Sequence, residues 1–260
     1  MLSSTPDAVQ SGPICIVDRP AISVIIPCYN EAELLPRLLT SIETARSAFS
    51  GGADGVEVIV SDNASTDDTS AIACARGCRV AASAVRRIGA VRNAGAAVAR
   101  GAVVAFIDAD SEIHPDTFNV IAAFMSRPDV VAGTTGATME RWSAGIALTY
   151  VMFLPVVWAT SMDIGVVFCR RDDFDAVGGY DEALKFAEDV KFLLALRRLG
   201  RARGSRLVRA RAAKAIASTR KFDQFGDLHY LSILWKGLWY LLNRRARDEF
   251  ADAYWYKSGR

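Results

Sequence analysis

Apolar positions along this chain fall into short unbroken runs separated by longer stretches of helical spacing. The clearest run is Val103–Ile107 (VVAFI), five apolar residues of which four are β-branched or aromatic. With no polar alternation, it reads as a strand buried on both faces, as in a parallel sheet. Ile22–Ile26 (ISVII) and Val56–Val60 (VEVIV) are the first and second strands. Further strands are expected at Arg79–Ala82, Val130–Thr135 and Ile164–Cys169. Between them the spacing turns helical. Leu34, Leu35, Leu38, Leu39 and Ile42 make one apolar face. Asn30 with Glu33 is a candidate capping pair, and Pro36 predicts a late or distorted helix start. Ser65-Thr66-Asp67-Asp68 reads as a helix start with a hydroxyl cap and acids in the first turn. Gly89–Arg100 is an alanine-rich helix whose small residues permit close packing on a sheet. Another helix is expected from Pro115. Arg171–Val177 is a short helix stopped by Gly178-Gly179, and Glu188-Asp189 open the helix Val190–Leu199.

Two stretches depart from this rhythm. Ala144–Ala159 is strongly apolar, short for a membrane span and interrupted by Pro155. It is read as a buried helix or a wall of an acceptor pocket. Leu228–Leu242 (LHYLSILWKGLWYLL) is apolar and aromatic, with Arg244, Arg245 and Arg247 just beyond. Packing on the core is its first reading; an oligomer contact and a place in a membrane interface are the alternatives.

At 260 residues the chain is long enough for one α/β domain. Half of it is hydrophobic and charges are plentiful, which excludes a disordered chain. A net charge of +2 offers no global argument for nucleic acid. The basic run Arg197–Arg211 reads as a solvated face. Five cysteines (Cys15, Cys28, Cys74, Cys78, Cys169) form no CxxC pair, so reduced thiols in a cytosolic protein are expected. Cys74 and Cys78, one helical turn apart, read as small packing residues. The first twenty residues lack a basic start and an apolar core, so they are expected to be a loose tail and not a signal peptide.

The chemistry gathers where strands end. Side chains at i and i+2 of an extended segment share a side, so Asp108 and Asp110 can point at one place. An unpaired buried charge is costly, so these acids need a partner: a divalent cation, a sugar hydroxyl or an arginine. An ion pair or helix cap is the plainer alternative. The first strand is followed by Pro27-Cys28-Tyr29-Asn30-Glu31, and the second ends at Asp62, which helix capping does not explain. In open parallel sheets ligands bind beyond the carboxyl ends of the strands. Tyr29, Glu31, Asp62, Asp108 and Asp110 thus converge on a nucleotide-type site. Arg92 and Asn93, polar among small residues, are open between exposed surface and an anion-binding role. His114, just before Pro115, reads as a loop or cap residue.

Pro27-Cys28-Tyr29-Asn30-Glu31, Ser61-Asp62-Asn63-Ala64-Ser65-Thr66-Asp67, Ala90-Val91-Arg92-Asn93-Ala94-Gly95, Asp108-Ala109-Asp110, Gly178-Gly179-Tyr180-Asp181-Glu182 and Glu188-Asp189 occur in this order. As an ordered set they resemble the family 2 glycosyltransferases, over roughly Ile22–Leu199. The resemblance implies a GT-A fold: a Rossmann-like, mostly parallel central sheet flanked by helices. The catalytic domain would span residues 21–220, after the tail of 1–20 and before a C-terminal helical tail of 221–260. It implies a nucleotide-sugar donor, with a UDP-sugar first and GDP- or dTDP-sugars as alternatives, and a divalent metal, Mg²⁺ or Mn²⁺. Carried over by position, Pro27, Tyr29, Glu31 and Asp62 would line the nucleotide pocket, with Asp62 facing the base. Arg92 would lie close to the nucleotide, Asp108 on the ribose side, and Asp110 would ligate the metal. Asp189 would be the general base, with Glu188 beside it, for an inverting transfer.

Relatives of this fold place a histidine after the acidic pair as a metal ligand. Here the later histidine is His229, inside the apolar tail. Ser218-Thr219-Arg220-Lys221 resembles a tail motif of some small bacterial members, and Arg220 or Lys221 would assist the diphosphate. Without multi-span regions or a QxxRW-type motif, a single transfer per encounter is expected. The acceptor stays unidentified, with a lipid-linked one suggested by the apolar stretches. The expected location is cytoplasmic, with peripheral contact at the inner membrane face through the tail. No Gly-rich basic loop follows the first strand, against a nucleotidyltransferase, and no GxGxxG does, against a nicotinamide dehydrogenase. The alternatives kept are a nucleotidyltransferase-like sugar-nucleotide enzyme, a silent nucleotide-sugar binding protein and, within the same fold, a retaining transferase.

Overall fold

The computed structural model describes residues 19–160, 162–185 and 187–228. Most of the expected N-terminal tail, Cys15, and the apolar segment with His229 and Arg244, Arg245 and Arg247 lie outside the described residues. The chain runs β1 (Ile22–Cys28), α1 (Leu35–Ser47), β2 (Val56–Asp62), α2 (Thr69–Ala75), β3 (Arg79–Ala82), α3 (Ile88–Val98), β4 (Val103–Phe106), β5 (Ser111–Glu112) and α4 (Thr117–Met125). It continues through β6 (Val130–Thr134), β7 (Ala137–Met139), α5 (Ala144–Thr160), β8 (Val167–Arg170), α6 (Arg171–Val177), α7 (Glu188–Ala202), β9 (Arg206–Arg209), β10 (Ala215–Ala217) and α8 (Arg220–Phe225).

Seven strands form one sheet in the order β3-β2-β1-β4-β8-β6-β9. Its pairs are parallel except where β8 runs antiparallel to β4 and β6. This is the expected mostly parallel α/β sheet. A small second sheet, β5-β10-β7, lies outside it. Strand periodicity sorts the core into two clusters. Val24, Ile26, Val103 and Ala105 pack with Leu35, Leu38, Leu39 and Phe118. Ile25, Val104 and Phe106 pack with Ala96, Phe174, Phe192 and Leu196. Both faces are therefore covered, which is why these strands read as unbroken apolar runs. Close packing of α3 needs Gly95, where a Cβ would sit 2.5 Å from Ile25 Cγ2.

The register decides where the site lies. Cys28 pairs with Asp62 and Ile25 with Phe106, so β1, β2 and β4 finish side by side. Their exit loops share one edge of the sheet.

Several expected boundaries move. α1 starts at Leu35 with Pro36 in its first turn, where no backbone donor is lost. Asn30 and Glu33 are not its caps. α2 starts at Thr69, so Ser65 is not its cap either; both Asn30 and Ser65 are used in the loops described below. α4 begins two residues after Pro115, and His114 Nδ1 accepts the Asp116 N–H as a loop residue. Cys74 is exposed and does not pack, whereas Cys28 and Cys169 are buried. The largest correction is α5. It is helical but only partly buried: Ile146 and Thr149 are enclosed, whereas Leu148, Val151, Leu154 and Trp158 are exposed, Trp158 at 78%. A helix apolar on all sides offers no polar face to solvent, and the body covers only part of it. Among the described residues no helix is long and apolar enough to cross a membrane.

Candidate active site

The loops after β1 and β2 are stitched to each other. Asn30 takes φ +51, its N–H donates to Ser65 Oγ at 2.9 Å, and its Oδ1 accepts the Thr66 N–H at 2.8 Å. Glu31 N–H donates to Thr69 Oγ1 at 2.8 Å, and Asp67 accepts from the backbone of both Ala32 and Thr69. Polar residues that pattern assigns to helix caps are thus spent on loop–loop bonds. The stitching leaves Glu31 buried, and it leaves Asp62 buried with one oxygen engaged: Oδ2 accepts the Ser65 N–H, while Oδ1 has no partner. A buried carboxylate oxygen without a donor is costly, and this atom is left as an open acceptor. Asn63 Nδ2 donates to the carbonyls of Ser83 and Val85 and holds the next loop. From that loop Arg86 lies 4.5 Å over the Tyr29 ring and bonds its hydroxyl. Pro27 is buried within β1.

Arg92 is the central connection. Set on α3 and buried, it donates from Nη1 to Glu188 Oε1 at 2.7 Å and from Nη2 to Asp108 Oδ1 at 2.8 Å. Its guanidinium carbon lies 5.2 Å from the Tyr180 ring centroid, and its Nε is buried without a partner. Burial works against the charge, but Asp108 and Glu188 outweigh it and keep Arg92 protonated. Burial pushes the Glu188 carboxyl above its ordinary range, with Arg92 opposing. The neighbouring Asn93 clamps Tyr180, accepting its N–H at 2.9 Å and donating to its carbonyl at 2.8 Å. Gly179 permits this approach: at φ +69, a Cβ there would stand 2.7 Å from Asn93 Oδ1. Tyr180 stacks on Phe192 of α7 at 4.2 Å. The Gly178–Tyr180 turn and the start of α7 are therefore docked on α3. Asp189, half-buried, follows Glu188 in the first turn of α7, after Ala187 at φ +58.

A second arginine closes the other side. Arg220, first residue of α8, donates to both Glu31 oxygens at 3.0 and 3.2 Å and to Asp110 Oδ2 at 3.2 Å. Burial raises the Asp110 carboxyl, Asp108 raises it further, and Arg220 and Lys221 pull it back. The expected extended geometry of the two acids fails, because β4 ends at Phe106 and the pair lies in the turn beyond. Asp108 turns to Arg92 and Asp110 to Arg220.

Residues 23–159, more than half of the chain, match the family model described as Glycosyl transferase family 2. This chain belongs to glycosyl transferase family 2. It is 33% identical over 114 residues to an uncharacterized glycosyltransferase of Mycobacterium tuberculosis (strain ATCC 25618 / H37Rv), covering 44% of this chain and 48% of that protein. It is 32% identical over 206 residues to the succinoglycan biosynthesis protein ExoO of Rhizobium meliloti (strain 1021), covering 70% of this chain and 57% of that one. The chain thus spans about half the length of the curated relatives it matches. Two solved structures share its fold. One is S. aureus TarS 1-349 in complex with UDP-GlcNAc, at TM-score 0.58 and 22% identity over 76% of this chain and 58% of that one. The other is the mannosyltransferase PcManGT from Pyrobaculum calidifontis in complex with GDP-Man and Mn²⁺, at 0.59 and 22% over 74% and 55%. The GT-A fold expected for a family 2 chain is therefore the fold observed.

In this family 2 chain no three His, Cys, Asp or Glu side chains among the described residues gather closely enough to cage an ion. The donor set nonetheless fits Mg²⁺ or Mn²⁺. Asp110 and Glu31 are hard oxygen donors brought together on one guanidinium. Such ions are commonly held by one or two carboxylates, with a substrate's phosphates and waters completing the shell. Pattern reading singles out Asp62 and Asp110 and the resemblance adds Asp189, whereas Asn30 and Ser65 read only as helix caps, Asn93 stays open between surface and anion binding, and Tyr180 has no role from pattern. The hint for Asn93 and Tyr180 is polarity in a small-residue helix and a Gly-Gly turn.

Proposed function

We propose that this chain transfers a sugar from a nucleoside diphosphate to an acceptor hydroxyl, with inversion at the anomeric carbon. The observation that carries the reading is the shared edge of β1, β2 and β4. There the unpartnered Asp62 oxygen lies among the same exit loops as Asp110 and the Arg92-linked pair of Asp108 and Glu188. Asp62 Oδ1 would accept a ring N–H, which uracil, thymine and guanine offer and adenine and cytosine do not. A UDP-sugar is the first choice, with GDP- and dTDP-sugars next; the donors named for the two solved neighbours support this order. Tyr29 and Arg86 would flank the base, and Asp108 would meet the ribose. Asp110, with Glu31, would hold the divalent metal, and Arg220 and Lys221 would face the diphosphate. Bound there, the metal would act as a Lewis acid on charge developing at the leaving phosphate. Asp189 takes the acceptor hydroxyl proton as the new C–O bond forms and the sugar–phosphate bond breaks, releasing the nucleoside diphosphate. Glu188, held by Arg92, sets the start of α7 and so the place of Asp189. The exposed apolar side of α5 supports a hydrophobic acceptor or a peripheral membrane contact.

Calorimetry with UDP-, GDP- and dTDP-sugars and Mn²⁺ tests the reading. At least one donor should bind in a metal-dependent way, and silence across that set would refute it.

A further inference from the structure

Arg220 bridges residues far apart in sequence: Glu31 in the first exit loop and Asp110 beyond β4, 189 and 110 positions away. It does so from a short helix whose far side is fastened elsewhere. Arg141 holds Asp223 at 2.5 Å and Asp227 at 2.8 Å, and Arg220 N–H bonds Ser218 Oγ. The guanidinium side chain is one-quarter exposed, so solvent reaches the place where it meets the carboxylates. Both acids it neutralises are the oxygen donors that the proposed function assigns to a divalent cation. A guanidinium and a metal ion cannot share the same lone pairs.

Resting on that reading, we infer that Arg220 is a latch that fills the cation's place against Glu31 and Asp110 until metal and donor arrive together. Metal alone competes with a tethered cation already making three bonds. A nucleoside diphosphate tips the exchange because it brings ligands for the metal and an anion for the released guanidinium. The fastening of α8 through Arg141 lets the side chain leave without the helix following.

The test reads Mn²⁺ binding without nucleotide, by loss of the free-ion electron paramagnetic resonance signal. Arg220→Gln removes the competing charge and leaves the carboxylates in place, so Mn²⁺ should bind about tenfold tighter or more, as expected for deleting a like charge a few ångströms from a divalent ion. Adding Asp110→Asn should abolish that gain. Arg220→Lys, which keeps the charge but not the fork, covers the case of a Gln variant that does not fold; it should bind Mn²⁺ severalfold tighter than the parent. Unchanged or weaker Mn²⁺ binding in the folded variants overturns the latch. If UDP- or GDP-sugars still bind with Mn²⁺ in that case, the latch fails while the donor site stands. If Mn²⁺ tightens as described but no nucleotide binds, the latch holds and the donor reading fails.

Discussion

Replacing Arg92 by Gln should cost a large share of the margin that keeps this fold together. The Arg92 side chain is 9% exposed and its partner Glu188 is 10% exposed, so the substitution strands a buried carboxylate. Removing one member of such a pair costs about 3–5 kcal/mol. The other partner, Asp108, is 56% exposed and adds at most about 1 kcal/mol. Against a typical total of roughly 5–15 kcal/mol the loss is large. Its pH dependence identifies the cause. Burial holds the Glu188 carboxyl above its ordinary value, with Arg92 opposing. A folded-state value above the unfolded one contributes stability below the unfolded value, lost as pH rises through the folded one. Without Arg92 the folded value rises further, so the deficit should be large at pH 7.5 and shrink toward pH 5. Urea unfolding followed by circular dichroism measures both. Arg92→Gln/Glu188→Gln should recover most of the loss at pH 7.5, because neither member is then a stranded charge. A deficit under about 1 kcal/mol would refute the reasoning, being no more than an average substitution costs. So would a deficit that ignores pH.

Asp189→Asn should keep donor binding by calorimetry and lose about 10²–10⁴-fold in transfer rate, the range for removing a positioned base; an active variant would dismiss Asp189 from that role. Glu57 tests the opposite edge of the sheet. Its burial raises the carboxyl, but bonds from Ser23 Oγ and from the backbone and side chain of Arg100 outweigh this and hold it below its usual range. Its stabilisation is therefore present above the unfolded value and lost as pH falls through the folded one. Glu57→Gln should cost about 1–3 kcal/mol at pH 7, a gap that closes below about pH 4.3 in acid titrations of the two proteins. Gly179→Ala places a Cβ against Asn93 Oδ1 at positive φ. It should lower stability by about 1–3 kcal/mol, with transfer falling further than the melting point explains, because Tyr180 stacks on the helix that carries Asp189.

How much of this was legible follows from what kind of information a pattern holds. Periodicity is local, and it located β1 to β4, α3 and the glycine stop of α6 within a residue or two. It also isolated Asp62, because capping explained its neighbours and left it over; the unpartnered Oδ1 is the physical counterpart of that remainder. Capping itself misled at Asn30 and Ser65, since a side chain that suits a helix start suits a loop–loop bond equally well. The apolar run of α5 reads as a buried helix or a pocket wall, yet hydrophobicity states only a preference: Ile146 is buried while Leu148, Val151, Leu154 and Trp158 are exposed.

The pairings of Arg92 and Arg220 lay beyond reach for a different reason. Each joins acids from separate turns of the chain, Arg92 with Asp108 and Glu188, Arg220 with Glu31 and Asp110. Ion-pair partners carry no periodic signature. The sequence narrows these pairings only in part. A helix as rich in Ala and Gly as α3 packs closely on a sheet, but that leaves Arg92 open between an exposed and an inward place; the structure buries it, and a buried cation requires carboxylates. Of the acids beyond β4, Asp110 is largely enclosed and needs a cation by the same rule, whereas Asp108 stays 56% exposed and does not. Arginines and acids meet at this edge before any ligand is considered. On that argument the site is assembled by its own charges. On the proposed reading, a donor with its metal would enter by replacing one of these pairs, the Arg220 contact, while the buried Arg92 contact would stay as the frame behind Asp189.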